Sequence, residues 1–245
     1  MKKILVILWV LLLLCACGSD PASPPTQSAT LPATTPAETM PATVPVSPTE
    51  TIPAPPVTIY EGAVEDLMLP LEEHSTPRLY DPEFVVIHFT SAVVNHRDDP
   101  YNMDLIRDIF LEYKVSIHYI IQRDGTVRCY VPEDRVARHA SKGSWNDDPK
   151  YDNTMNEYAI GIELVAIGSE RDMSIYLSGE EYRTLDSSLP GFTDAQYAAL
   201  RDLVADICAR NAIPMDRQHI IGHEEYAPHK NDPGELFDWS RVISE

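Results

Sequence analysis

The chain is poor in positive charge. Lys and Arg number 19 among 245 residues, against 38 Asp and Glu, for a formal net charge of −19. A nucleic-acid partner demands a basic face for its phosphates, and this composition argues against one. It argues equally against attachment to anionic lipid head groups through a polybasic patch. Cysteine is scarce: there are four, and two of them fall in the first 17 residues. The apolar run Ile4 to Leu14 covers eleven residues, short of the roughly 20 that a membrane-spanning helix needs. Several catalytic signatures are missing as well. There is no G-x-S-x-G, no G-x-x-x-x-G-K and no C-x-x-C in the folded part, and His223-Glu224 fails as the start of H-E-x-x-H because position 227 is Ala.

What is present divides the chain into three. Lys2 and Lys3 precede the apolar run, which ends Leu14-Cys15-Ala16-Cys17. A basic start and a short apolar stretch suit an export signal. The end of the run resembles a bacterial lipobox, which implies cleavage before Cys17 and lipidation of that cysteine; acyl chains in pairs suffice for stable anchoring where one does not. A plain secretory signal is the alternative. Residues 18–58 hold eleven of the chain's 21 prolines, between Pro21 and Pro56, and no Lys or Arg occurs between Lys3 and Arg78. Proline fixes φ and removes donors, so this stretch reads as an extended spacer whose reach is on the order of 120 Å at most.

Residues 59–245 are expected to carry the fold: one α/β domain with a central mixed sheet flanked by helices. Phe84 to Phe89 is a continuous run of β-formers. Leu105, Ile106, Ile109 and Phe110 have helical spacing. Ile117 to Gln122 and Thr126 to Val131 flank Asp124-Gly125 as a hairpin. Tyr158 to Val165 is a further strand, Thr193-Asp194 opens a helix, His219 to His223 is a short strand, and Phe237 to Val242 is expected as a closing helix. Cys129 and Cys208 fall on apolar faces and read as core thiols, although an exported pair could form a disulfide.

His88 and His223 lie near strand ends, and Asp232 follows in Lys230-Asn231-Asp232-Pro233-Gly234. Two imidazoles and a carboxylate make a three-ligand set for catalytic Zn²⁺ with a fourth position left for water. Pro233 biases Asp232 toward an extended backbone. Glu163 shares a strand face with Gly161 and Val165, opposite Ile160, Ile162 and Leu164. A glutamate in a hydrophobic strand either has a task or lies at a rim, and Gly161 beside it is expected to leave room for a ligand. Four further histidines, His74, His96, His118 and His229, read as surface or supporting groups.

Six blocks in order resemble the zinc-dependent type-2 N-acetylmuramoyl-L-alanine amidases, whose fold is shared with peptidoglycan-recognition proteins. They are Val86-Ile87-His88-Phe89-Thr90; Val115 to Tyr119 with Arg123 to Val127; Tyr130-Val131-Pro132 with His139-Ala140; Asn156 with Ile160 to Glu163; Phe192 to Tyr197; and Ile221-Gly222-His223 through Gly234. The resemblance implies that His88, His223 and Asp232 bind zinc. It implies that Glu163 is the catalytic glutamate and that Lys230 faces the reacting carbonyl. His139 and Asn156 would line or support the substrate groove. The implied reaction is hydrolysis of the amide between N-acetylmuramic acid and L-alanine in peptidoglycan, at the cell envelope, by a lipid-anchored monomer. A non-catalytic recognition module of the same fold is the rival; such relatives usually lose a zinc ligand, and here all three are present. A hydrolase of soluble anhydromuropeptides is a third reading, less suited to an anchor and a stalk.

Some features depart from the pattern. The His223–Asp232 interval is one residue shorter than in many bacterial relatives. Phage members carry a tyrosine where this chain has Ile117, so that role does not transfer. The stretch 168–191 is longer than in compact members and would either wall the groove or decorate the surface. No wall-binding domain is expected after Glu245.

Overall fold

The computed structural model describes residues 57–243. The leader, Cys17 and nearly all of the proline-rich spacer lie outside the described residues. Within them, no helix is long and apolar enough to cross a membrane.

A short helix, α1 (Leu71–His74), leads into β1 (Ser75–Pro77). The following elements are β2 (Phe84–Thr90), α2 (Met103–Tyr113), β3 (Tyr119–Ile121), β4 (Val127–Cys129) and β5 (Arg135–Ala137). Then come α3 (Met155–Tyr158), β6 (Ala159–Val165), α4 (Gly179–Arg183), α5 (Asp194–Asn211), β7 (Ile220–Gly222) and α6 (His223–Tyr226). Five strands form a mixed sheet in the order β4-β3-β6-β2-β7, and β1 pairs with β5 beside it. Within the five-stranded sheet only β3 and β4, joined through Asp124-Gly125, are antiparallel; β3–β6, β6–β2 and β2–β7 are parallel. Strands β2 and β6 lie in the middle and are covered on both faces, which is why they read as unbroken apolar runs rather than alternating ones.

Alternation sorts the two faces. Val85, Ile87, Tyr119, Ile121, Ile160, Ile162 and Leu164 pack with Leu200, Leu203, Val204 and Ile207 of α5. Helix α5 starts where the sequence marks it: Thr193 and Gln196 form a reciprocal capping box. Gln196 is fully buried, and its amide also donates to the carbonyls of Ile121 (3.1 Å) and Val165 (2.9 Å), tying the helix start to the ends of β3 and β6. On the other side, Asn102 caps α2 through the N–H groups of Asp104 and Leu105. Ile106 and Phe110, one turn apart, pack with Ile117, Ile120 and Tyr130.

The expected closing helix is not there. Residues Trp239–Arg241 make a single 3-10 turn, because Phe237, Val242 and Ile243 are drawn into the core under α5 and leave too few residues for an α-helical repeat. Cys129 and Cys208 are both buried and free. Of the four histidines read as surface or supporting groups, two are buried. His74 ends α1 with Nδ1 3.2 Å from the Val115 carbonyl, and His118 lies beneath the candidate site.

Candidate active site

Parallel strands bring their carboxyl ends to one edge, where ligands of open α/β sheets bind. His88 and Glu163 are register partners on β2 and β6, and both point away from the α5 face. His223 begins α6 directly after β7, the neighbour of β2 on its other side. The return loop then delivers Asp232, held to α6 by the Glu224 N–H donating to the Asp232 carbonyl (2.9 Å). The Asp232–Pro233 peptide bond is cis.

The three residues expected to bind metal are together. His88 Nδ1 lies 2.8 Å from Asp232 Oδ2 and 3.1 Å from His223 Nδ1, and His223 Nδ1 lies 2.9 Å from Asp232 Oδ2. The far nitrogen of each imidazole is occupied: His223 Nε2 sits 3.0 Å from the Ala140 carbonyl, and His88 Nε2 sits 3.0 Å from His139 Nδ1. A carbonyl can only accept, so neutral His223 carries its proton on Nε2 and presents a bare lone pair at Nδ1. That lone pair faces a carboxylate oxygen. Two acceptors at hydrogen-bond distance lack a positive partner, and a divalent cation supplies one. The donor set therefore fits a metal.

Electrostatics agree. Burial first, and then the neighbouring His223, lower His88 to about 4, so it stays neutral and ligating at physiological pH. Burial alone would raise Asp232, but the adjoining His223 and His88 imidazoles outweigh it and hold the carboxyl below the usual carboxylate range. Glu163 is the opposite case. Burial, and then the Asp232 charge, raise it well above the carboxylate range, with Lys230 opposing. Its Oε2 is sealed from solvent and has no hydrogen-bond partner. One carboxyl pushed down beside another pushed up is the pattern of acid–base sites.

Two further residues of the motif blocks lie beneath the metal-ligand cluster. Asn156 accepts with Oδ1 from the N–H groups of His139 (2.9 Å) and Ala140 (2.8 Å), so its side chain is spent on holding that segment under the metal ligands. His139 stands between His88 and His118, ring against ring. Its pKa falls well below the usual value through burial and then the adjoining imidazoles. Gly161 does not leave room for a ligand: a Cβ there would lie 2.5 Å from Ile117 Cδ1 and 2.7 Å from His139 Cγ. The space belongs to the His139 ring. His118 Nδ1 accepts from the Gly161 N–H at 3.0 Å, and its Nε2 donates to the Arg135 carbonyl at 3.0 Å.

Sequence reasoning missed Arg78. Its guanidinium donates to the carbonyls of Glu133, Glu157, Arg135 and Ala159 and packs on His118, with burial lowering it to about 10. It closes the floor of the site through backbone atoms, which no side-chain motif reports.

The profile of the N-acetylmuramoyl-L-alanine amidase family matches residues 78–235. A 1,6-anhydro-N-acetylmuramyl-L-alanine amidase, AmpD, of Haemophilus influenzae is 29% identical over 180 residues, 69% of this chain and 84% of that protein. The AmpD of Citrobacter freundii is 34% identical over 129 residues, covering 52% of this chain and 55% of its own length, so the chain spans about half of that relative. Among solved structures, a selenomethionine AmpD derivative superposes with a TM-score of 0.53 at 25% identity, over 76% of this chain and 95% of that one. His88, Glu163, His223, Lys230 and Asp232 all fall inside the matched region, and the chain belongs to the N-acetylmuramoyl-L-alanine amidase family.

Proposed function

We propose that this amidase cleaves the bond between N-acetylmuramic acid and L-alanine in polymeric peptidoglycan, and that it does so as a zinc enzyme exported and held at a membrane through Cys17. The observation that carries the chemistry is Glu163, in register with His88, whose Oε2 is sealed from solvent without a hydrogen-bond partner. His88, His223 and Asp232 would hold the zinc. Bound there, Zn²⁺ supplies Lewis acidity toward a carbonyl oxygen and lowers the pKa of water toward about 7. Glu163 takes a proton from the attacking water and returns it to the leaving nitrogen of L-alanine; its raised affinity for protons suits both halves. Lys230, two residues before Asp232 on the same loop, offsets negative charge that develops on the acyl oxygen. His139 and Asn156 fix the groove floor rather than the chemistry.

The relatives are named for 1,6-anhydro-N-acetylmuramyl-L-alanine amidases, so a soluble anhydro fragment is the second candidate substrate. The lipobox-like leader and the long spacer favour the polymer. Digestion of purified wall and of soluble anhydromuropeptide in parallel, with mass analysis of the products, decides between them. The polymer reading predicts release of peptides beginning at L-alanine from intact wall. Cleavage of the soluble fragment alone would overturn it.

A further inference from the structure

The loop that delivers Asp232 has little regular structure of its own. Residues 227–238 form neither helix nor strand, and holding such a segment in one conformation costs entropy that other contacts must offset. The Glu224 N–H on the Asp232 carbonyl ties it to α6. A second support comes from the long segment after β6. That segment is first fixed to the sheet edge: Met173 and Leu177 are buried and pack with Val93 and Ile167, and the Met173 N–H donates to the Ser169 carbonyl at 2.9 Å. Its 3-10 turn, Asp172–Ile175, then meets the Asp232 loop through Asp172.

Asp172 is only 5% exposed. Its Oδ2 accepts from the N–H of Ser169 (3.0 Å) in its own segment and from the N–H of Glu235 (3.3 Å) in the Asp232 loop. Its main-chain carbonyl accepts from Asn231 Nδ2 at 3.1 Å, and its own N–H donates to Ser169 Oγ at 3.2 Å. Asp172 therefore grips the loop on both sides of Asp232, at the residue before it and again at Glu235. Gly234, at φ +77°, leaves the space that the carboxylate fills; a Cβ there would fall on Asp172 Oδ2 and Cγ. Packing alone does not call for a charge in this place, because a buried carboxylate is costly without partners. What a carboxylate adds is a charge-assisted hold on main-chain N–H groups, stronger than a neutral acceptor's.

We propose that Asp172 is a positioning residue of the metal site: it carries the fixed position of the sheet edge across to the Asp232 loop, and so holds the Asp232 carboxylate against His88 and His223. This rests on the zinc reading above. Asp172 acts through the loop and takes no part in the chemistry. Partners that orient a ligand from behind typically change metal affinity about 10- to 100-fold. The stretch 168–191 is then a brace for the ligand loop.

The test titrates the metal-stripped full chain with Zn²⁺ in competition with a chelator and follows urea unfolding of the same stripped proteins. Asp172→Ala is expected to weaken zinc about 10- to 100-fold. Asp172→Asn keeps an acceptor oxygen for the two N–H groups and should stay within about threefold of wild type. Tyr101→Phe is the control: it removes the hydroxyl that donates to the Leu189 carbonyl at the far end of the same segment. Asp172→Ala and Tyr101→Phe should both lower the urea midpoint, but only Asp172→Ala should move zinc, with Tyr101→Phe within about twofold of wild type. Asn231→Ala removes the second tie from a partly exposed side chain and should weaken zinc about two- to tenfold, the worth of one hydrogen bond; it decides the matter even where Asp172→Ala does not fold. Wild-type affinity in Asp172→Ala or in Asn231→Ala overturns the proposal. So does an Asp172→Asn protein as weak as Asp172→Ala, or a Tyr101→Phe loss of the same size, which would make the effect a general loosening of the segment. A wild-type chain that binds no zinc refutes the metal reading and this inference with it, an outcome distinct from wild type and Asp172→Ala binding zinc equally well.

Discussion

Gly161→Ala is a one-methyl perturbation whose consequences can be followed atom by atom. The new Cβ would sit 2.5 Å from Ile117 Cδ1 and 2.7 Å from His139 Cγ and Nδ1, against ordinary carbon contacts of about 3.5–4.0 Å. Ile117 ends in a methyl that can turn aside. The His139 ring cannot do so freely: its backbone N–H is pinned by Asn156, and its Nδ1 is 3.0 Å from His88 Nε2. Relieving the clash requires the ring to move by about 1 Å, which breaks the contact that orients His88. Overpacking a filled interior costs about 1–3 kcal/mol. The entropic gain from replacing glycine, about 0.4–1 kcal/mol where the backbone permits it, offsets only part of that. Loss of the group that orients a ligating imidazole typically weakens metal binding about 10- to 100-fold. The expected phenotype is therefore double: metal-free protein less stable by about 1–2 kcal/mol in urea, and zinc bound at least about tenfold more weakly in competition with a chelator. Adding Ile117→Val should recover part of the stability and none of the zinc affinity, because it relieves only one of the two clashes. Zinc affinity within twofold of wild type at undiminished stability would refute the claim that Gly161 exists to seat His139.

Three further outcomes follow from the same structure. Asn156→Ala should cost about 2–4 kcal/mol by urea unfolding, since it leaves the N–H groups of His139 and Ala140 without an acceptor and each orphaned donor costs about 1–3 kcal/mol; a loss below about 0.5 kcal/mol would contradict the clamp. Burial raises the Cys129 thiol to about 12 and the Cys208 thiol to about 11, so between pH 9 and those values the unfolded chain has released protons that the folded chain retains, and stability falls as pH rises. Each thiol should cost about 1.4 kcal/mol by pH 10, and a Cys129→Ala, Cys208→Ala double variant should show a shallower decline between pH 8 and 10; an unchanged slope would show that the thiols do not titrate with unfolding. Lys230→Met should lower kcat about 10²- to 10³-fold while leaving zinc binding intact, measured as turnover of zinc-loaded protein; wild-type turnover would remove Lys230 from the reaction.

How much of this could be read before the structure depends on where the physical signal lies. The central strands announce themselves because both of their faces are covered, and α5 because its cap and its apolar face are both local. The His88, Glu163, His223 and Asp232 constellation was legible as a set of motifs, although the register that places His88 beside Glu163 is a product of sheet order. The closing helix over Phe237 to Val242 failed because tertiary burial of Phe237 and Ile243 overrode a helical spacing too short to propagate. Gly161 was read correctly as a space and wrongly as a ligand's space, since nothing near it in sequence points to a ring arriving from residue 139. Arg78 and Asp172 carried no sequence signal, and His118 was legible only as part of a motif block. Their tasks depend on backbone carbonyls, buried nitrogens and a docked loop, which exist only after the chain has folded.

The central claim is that His88, His223 and Asp232 hold one zinc ion on which amide cleavage depends. Metal-stripped protein titrated with Zn²⁺ on a muramyl peptide, with the new L-alanine amino termini counted, tests it most directly. Release should rise from nothing and reach its plateau at about one zinc per chain, and Asp232→Ala should give no rise at the same zinc concentrations. Full release from stripped protein, or an Asp232→Ala variant that follows the wild-type curve, would contradict it.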